Sequence, residues 1–185
     1  MYYFLSVTPN YPNSYWLEYY RASSIESVVF LENKKISEPT DTLIFNINKN
    51  INIERFKKYD YLMTDAVPIL SERFAEILNN LAPHDVQLIT THVFNRSEYI
   101  GDYYLPIYLK LIDCINWETS IYDNEFDIFK RIDLLPNSLG NNKIVKAKGY
   151  ELGLPIVQED IFSKCKKMNG CSFFKSPYIN PLFDV

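Results

Sequence analysis

Apolar and polar positions change period several times along this chain, and each change marks an element. Residues 2–7, Tyr-Tyr-Phe-Leu-Ser-Val, form an aromatic and apolar run that stops at Thr8-Pro9 and predicts an opening strand. Residues 9–24 mix Pro, Asn and Ser with Tyr15, Trp16, Tyr19 and Tyr20, the composition of a structured loop holding at most a helical turn. Residues 27–31 and 42–47 read as strands, and the Asn/Lys-rich stretch from Asn46 to Asn52 as a turn or exposed connection. Tyr61-Leu62-Met63 is a short strand and Pro68-Ile69-Leu70 a short extended segment. The period then becomes helical. Phe74, Ile77, Leu78 and Leu81 fall at i, i+3, i+4 and i+7, Ser71 is a suitable N-cap, Glu72 lies in the first turn and Pro83 stops the run. This predicts a helix over 71–82 with those four side chains buried.

A series of strands follows over 86–94, 103–109, 111–117, 128–134 and 143–148, broken at Asn95-Arg96-Ser97, Asp123-Asn124-Glu125 and 136–142. Asp113 and Asn116 lie inside the apolar run 111–117 and are expected to be buried and to cap neighbouring backbone. A second helix is predicted over 158–168, with Glu159 and Asp160 in its first turn, Lys164, Lys166 and Lys167 in its last, and Asn169-Gly170 closing it. Its buried stripe is Ile161, Phe162, Cys165 and Met168. Residues 171–174 form a final strand, and the tail after Pro177 is expected to lie on the surface. Strands and helices that do not alternate strictly predict an α+β fold, mostly antiparallel β-sheet with two principal helices, in one domain over 1–185.

Composition narrows the function classes. A chain of 185 residues with 47% hydrophobic and 23% charged residues can build its own core without disulfide or metal. The net charge of −4 argues against nucleic acid as a partner. No window approaches the roughly 20 apolar residues of a membrane span. The start lacks the basic region of a signal peptide, so the expected compartment is the cytoplasm, with Cys114, Cys165 and Cys171 as reduced thiols. The sequon at Asn95 reads as a chance match there. With 15 Tyr and 12 Phe, the chain suits protein-binding surfaces, although an AT-rich genome gives the same excess.

Familiar catalytic patterns are absent: GxSxG, GxGxxG, HExxH and the P-loop do not occur. His84 follows the helix-stopping Pro83 in a turn and His92 lies in a strand, both poor positions for a base. No catalytic, metal or cofactor-binding residue is assigned, and no cofactor is expected. The charge pattern says more. Residues 111–129 contain Asp113, Glu118, Asp123, Glu125 and Asp127 and no base, interleaved with Trp117, Tyr122 and Phe126, whereas 143–175 carry seven lysines against three acids. An acidic stretch with aromatics fits a face opposite a basic partner. It also fits a solvated loop whose aromatics face the core. The candidate partner-binding residues are Trp117, Glu118, Tyr122, Asp123, Glu125 and Asp127.

The same segments resemble a known family. Asp60-Tyr61-Leu62-Met63 followed by Pro68-Ile69-Leu70-Ser71-Glu72-Arg73-Phe74 is similar to the strand and Pro-Ile-Val-Ser-Glu-Arg-Phe helix of the immunity protein 11 family. Ile112 to Ser120 is similar to that family's Ile-Asp-x-Ile-Asp-x-x-x-Ser segment, with Asn116 in place of the second Asp. Pro155-Ile156-Val157 and then Gly170-Cys171-Ser172-Phe173 match its closing helix and strand. The resemblance covers about 40–175. It implies a cytoplasmic bacterial protein of a polymorphic toxin system that neutralises a cognate toxin by direct contact, and it brings no catalytic set. Two other readings stay open. One is an enzyme built on Asp113, Asp123, Asp127 and His92, and the other a regulatory binding module with no toxin.

Overall fold

The computed structural model describes residues 1–21, 25–37, 42–126 and 128–175. In chain order the strands are β1 (Tyr2–Val7), β2 (Glu18–Tyr19), β3 (Leu43–Ile47), β4 (Tyr61–Leu62), β5 (Ile69–Leu70), β6 (Val86–Asn95), β7 (Glu98–Tyr108), β8 (Leu111–Ile112), β9 (Ile121–Asp123), β10 (Ile128–Arg131), β11 (Ile144–Ala147), β12 (Ile156–Gln158) and β13 (Cys171–Phe174). The helices are α1 (Ile53–Phe56), α2 (Glu72–Leu81) and α3 (Glu159–Cys165). The fold is α+β and sheet-dominated. One sheet has the order β2-β3-β6-β7-β5-β4, a second β13-β1-β12-β11-β8, and β9 and β10 form a separate hairpin. Most neighbours are antiparallel; β3 with β6 and β8 with β11 are parallel.

Strand alternation sorts side chains into layers. In β1, Tyr3, Leu5 and Val7 enter one core while Phe4 points to another. In β11, Ile144 joins the first of these, and Val145 and Ala147 the second. The shared middle core lies between the two large sheets and takes Phe74 and Leu78 of α2, Ile161 and Cys165 of α3, and Val86 and Tyr108 of the β6–β7 hairpin. The far face of the six-stranded sheet carries a second core of Phe45, Val93, Leu105 and Ile107, closed by Tyr15, Tyr19, Phe30 and Phe56. The far face of the five-stranded sheet carries a third, centred on Phe129 of β10.

Helix α2 forms where its pattern predicts. Ser71 accepts from Phe74 N–H as N-cap, and Phe74 and Leu78 are buried. Ile77 and Leu81 are half-buried, because Ala75 and Ala82 turn the face slightly. Helix α3 ends at Cys165, and Lys166 to Met168 form a turn instead of the predicted last helical turn. Gly170 follows at φ +88, where a Cβ would stand 2.3 Å from the Tyr61 carbonyl, so only glycine lets β13 leave the turn this close to β4.

Three predicted strands are corrected. Ser27–Leu31 is a 3-10 helix: among the described residues no strand pairs with it, and its turn buries Phe30 while Val28 stays exposed. The 111–117 run keeps two strand residues and then one bridge, Ile115 to Leu134. The chain turns at Asn116, whose side chain accepts from Glu118 N–H at 3.2 Å. Asp113 is exposed, against its expected burial, whereas Asn116 is half-buried. The 128–134 run is a strand only to Arg131. The predicted tail placement after Pro177 falls outside the described residues.

Candidate functional site

Two buried carboxylates hold elements together. Asp60, 3% exposed, accepts from Ser71 Oγ at 2.8 Å, Arg73 Nε at 3.0 Å and Asn169 N–H at 2.9 Å, tying β4, α2 and the turn after α3 into one joint. Its contact with the Arg73 guanidinium raises that group's pKa further. Asp85 accepts from Lys143 N–H and Ile144 N–H and so anchors β11 to the start of β6. Asp60 and Arg73 line an open cleft of about 520 Å³, but the carboxylates of Asp60 and Asp85 are both engaged by backbone and side-chain donors.

The remaining reactive types are equally occupied. Burial pushes the Cys114 thiol up to about 11 and the Cys165 and Cys171 thiols up to about 12, so none is a ready nucleophile at neutral pH. Lys146 is 5% exposed, with its ammonium over the Tyr108 ring at 5.4 Å and bonded to the Gly153 carbonyl. Burial pulls its pKa down to about 8. Among the described residues no group of His, Cys, Asp and Glu is arranged to hold a metal ion.

The enzyme reading required His92 to meet Asp113 and Asp123. His92 instead lies in the β6–β7 hairpin, with Nε2 3.1 Å from Asp102 Oδ1, which also accepts from Tyr99 OH at 2.7 Å. Asp123 is in the β9–β10 hairpin and is paired with Lys130. The structure therefore does not assemble that set, and Asp127 lies outside the described residues.

The other candidate residues do share one region. Trp117 leans on Phe129 with ring centroids 5.3 Å apart, and its indole covers Gly149, where an added Cβ would come within 3.0 Å. Tyr122 meets the opposite part of Phe129 at 4.8 Å, and Tyr150 completes the cluster at 5.6 Å. Phe129 is 2% exposed and forms a rigid base, whereas Trp117 is 54% exposed. Between the hairpin and the loop 149–153 runs a groove of about 400 Å³, lined by Tyr122, Ile128, Tyr150 and Leu152. Phe126 at the hairpin tip is 66% exposed and Leu152 77%.

Charge is distributed differently from its spacing along the chain. Asp123 is 2.6 Å from Lys130 Nζ and also accepts from Glu125 and Phe126 N–H. The hydrogen bond from Lys130 holds its carboxyl below the usual range. Asp123 is thus the pin of the hairpin turn, not a free charge. Glu118 and Glu125 are exposed and carry the acidic character of this face. Sequence reasoning named Trp117 and Tyr122 but missed Ile128, Tyr150 and Leu152. Their signal was weak: the loop 149–153 is distant along the chain, and its two glycines, 149 and 153, mark only a turn.

No described helix is long and apolar enough to cross a membrane. No protein-family model matches the chain, and no curated protein matches it.

Proposed function

We propose that this chain is an immunity protein that binds a cognate bacterial toxin in the cytoplasm and neutralises it by direct contact. The observation that supports this best is the face made by the β9–β10 hairpin and the loop 149–153. There, Trp117, Phe126, Ile128 and Leu152 remain in water above a rigid aromatic base. Large apolar side chains gathered in one exposed patch mark protein-binding surfaces, and Trp and Tyr are frequent energetic centres of them. Glu118 and Glu125 beside the patch favour a basic partner over nucleic acid. The resemblance to the immunity protein 11 family over about 40–175 supplies the class of partner.

The test is co-expression with the toxin encoded beside this gene. The expected result is cell survival, a stoichiometric complex on purification, and loss of both in a Leu152→Asp variant whose unfolding midpoint is unchanged. A complex that forms equally well with Leu152→Asp and Trp117→Ala overturns the assignment of the face. Survival no better than with an empty vector overturns the function.

A further inference from the structure

Strand β7 is longer than the neighbour that covers it. It runs from Glu98 to Tyr108, but β5 has two residues and meets it at a single pair, Leu70 with Tyr104. In that antiparallel register the next residue, Ser71, would oppose Tyr103. Ser71 is instead the N-cap of α2, so the chain turns away there. The hairpin's own ladder with β6 uses only one side of β7. The hydrogen-bonded pairs of β7 with β6 fall at Tyr103 and Gly101, so Asp102 turns its N–H and C=O to the outer side, and among the described residues nothing pairs with them. An open strand edge is a template for another strand.

This edge forms one wall of a cleft of about 520 Å³. A Cβ built on Gly101 meets nothing within 4 Å, so the sheet face over Gly101 is open. Apart from the Arg73–Asp60 ion pair, which also lines it and carries no net charge, the two sides of the cleft differ in charge. Asp102 lies on the sheet face with His92, where Glu72 of α2 also stands, and both carboxylates act on Tyr104 strongly enough to raise its phenol pKa, after burial as the larger cause. On the opposite face, where Phe56 packs against Tyr103 with centroids 6.0 Å apart, stand Lys57 and Lys58.

We infer that this edge accepts an extended segment of a partner protein as an added strand. The segment hydrogen-bonds the free N–H and C=O of Asp102, the residue whose backbone faces away from β6. Because successive side chains of a strand point to opposite faces, it places a basic residue toward Asp102 and Glu72 and an adjacent acidic residue toward Lys57 and Lys58. A second copy of this chain does not satisfy the site. Antiparallel edge pairing of two copies has its two-fold axis perpendicular to the sheet, so both Asp102–Glu72 sides would fall on one face and repel. The inference is independent of the toxin reading, because the cleft shares no residue with the groove beside β9–β10.

The test is selection of a randomised ten-residue peptide library on the purified chain, followed by binding and amide-exchange measurements on the enriched peptides. The expected peptides lack proline, carry Lys or Arg next to Asp or Glu, and slow exchange at the Asp102 amide. Their affinity falls at least tenfold with Asp102→Lys, a change at an exposed position, and returns when the peptide's basic residue alone is replaced by Glu. Peptides without the charge pair, affinity unaffected by Asp102→Lys, or protection elsewhere overturn the inference. So does protection of the Asp102 amide that grows with protein concentration in the absence of peptide, which would assign the edge to self-pairing.

Discussion

The two outer layers of this molecule use aromatic side chains in opposite ways. Beneath the six-stranded sheet, Tyr15, Tyr19, Phe45 and Phe56 are buried ring against ring, and Tyr19 OH bonds to the Ile25 carbonyl. Around β9–β10 only Phe129 is buried in this way, and the rings and chains it supports face water. The first arrangement places its apolar area inside the fold. The second leaves that area for something else to cover, at roughly 25 cal/mol per Å². Composition alone cannot distinguish the two, since both regions are rich in the same residue types.

The sharpest way to break this comparison is to delete a ring from each kind of site. Phe74→Ala, which empties a fully buried position in the shared middle core, is expected to cost about 3–5 kcal/mol in denaturant unfolding. Phe126→Ala at the exposed hairpin tip is expected to cost under about 0.5 kcal/mol. Similar losses at the two positions would mean that the tip is covered in the folded chain and is not a free face.

Buried charge draws the same contrast more finely. Asp60 is surrounded by donors from Ser71, Arg73 and Asn169; Arg73 is largely in water, so Asp60→Ala should cost about 1–3 kcal/mol, mainly by leaving the Ser71 hydroxyl and the Asn169 N–H unpaired. Lys146 has a single carbonyl and a ring for company. Its pKa is pulled down to about 8 from a usual 10.5. Between those values the unfolded chain binds more protons than the folded one, so this group makes stability rise with pH across that window. The full effect corresponds to about 3 kcal/mol. The thiols act in the other direction. Their folded values near 11 and 12 stand above a usual 9.0, so the unfolded chain loses protons first and stability falls above pH 9. Comparing wild type with Lys146→Met removes the thiol contribution. At pH 7 the variant is expected to be the more stable, by about 2 kcal/mol after about 1 kcal/mol is subtracted for the lost bond to Gly153. The difference should shrink steadily toward pH 10.5. A difference independent of pH would show that Lys146 is solvated.

How much of this was legible in the sequence depended on whether local signals agreed with tertiary demand. Helix α2 was readable because cap, period and proline stop coincide within a dozen residues. The turn at Asn95-Arg96-Ser97 was readable, with Arg96 at φ +58, but the strand after it was expected only from Tyr103 and begins at Glu98, because Glu98 to Asp102 carry no apolar run although they pair with β6. Ser27–Leu31 was misread because Val-Val-Phe has the composition of a strand, and composition does not reveal that no neighbour is available to pair. The candidate face was half readable. Trp117 and Tyr122 stood out by type, but their meeting with the loop 149–153 rests on pairing between β8 and β11 far apart in the chain. The partner of Asp123 was hidden for the converse reason: a stretch of five acids without a base does not show that Lys130, just past it, folds back across the turn.

Trp117 tests whether the exposed face does what its geometry suggests. Trp117→Ala removes one side of the stack on Phe129 but leaves Tyr122 and Tyr150 in place, so the folding loss should stay near about 1 kcal/mol. If the indole is an anchor for the toxin, dissociation should accelerate by the equivalent of about 2 kcal/mol or more. Read together, the unfolding midpoint and the off-rate separate an anchor from a core residue: an anchor changes the second far more than the first.

The smallest expected effect concerns charge at the rim. Glu118 and Glu125 are exposed on the face, whereas Asp123 is bound to Lys130 and to two backbone N–H groups. Long-range attraction acts through net charge, and a neutralised pair contributes little to it at distances beyond a Debye length. Replacing Glu118 and Glu125 together by Gln should therefore slow association with a basic toxin by about two- to fivefold at low salt, and the difference should vanish as salt is raised. Stability should be unchanged within error, since exposed charges contribute little to folding. Asp123→Asn should behave the other way. It weakens the pin that sets the hairpin turn, so amide exchange at Glu125 and Phe126 should speed up, and freeing the Lys130 ammonium should slow the on-rate only modestly. An on-rate that depends on Asp123 but not on Glu118 and Glu125 would mean that the Lys130 pair opens on binding and that the partner meets the hairpin turn itself.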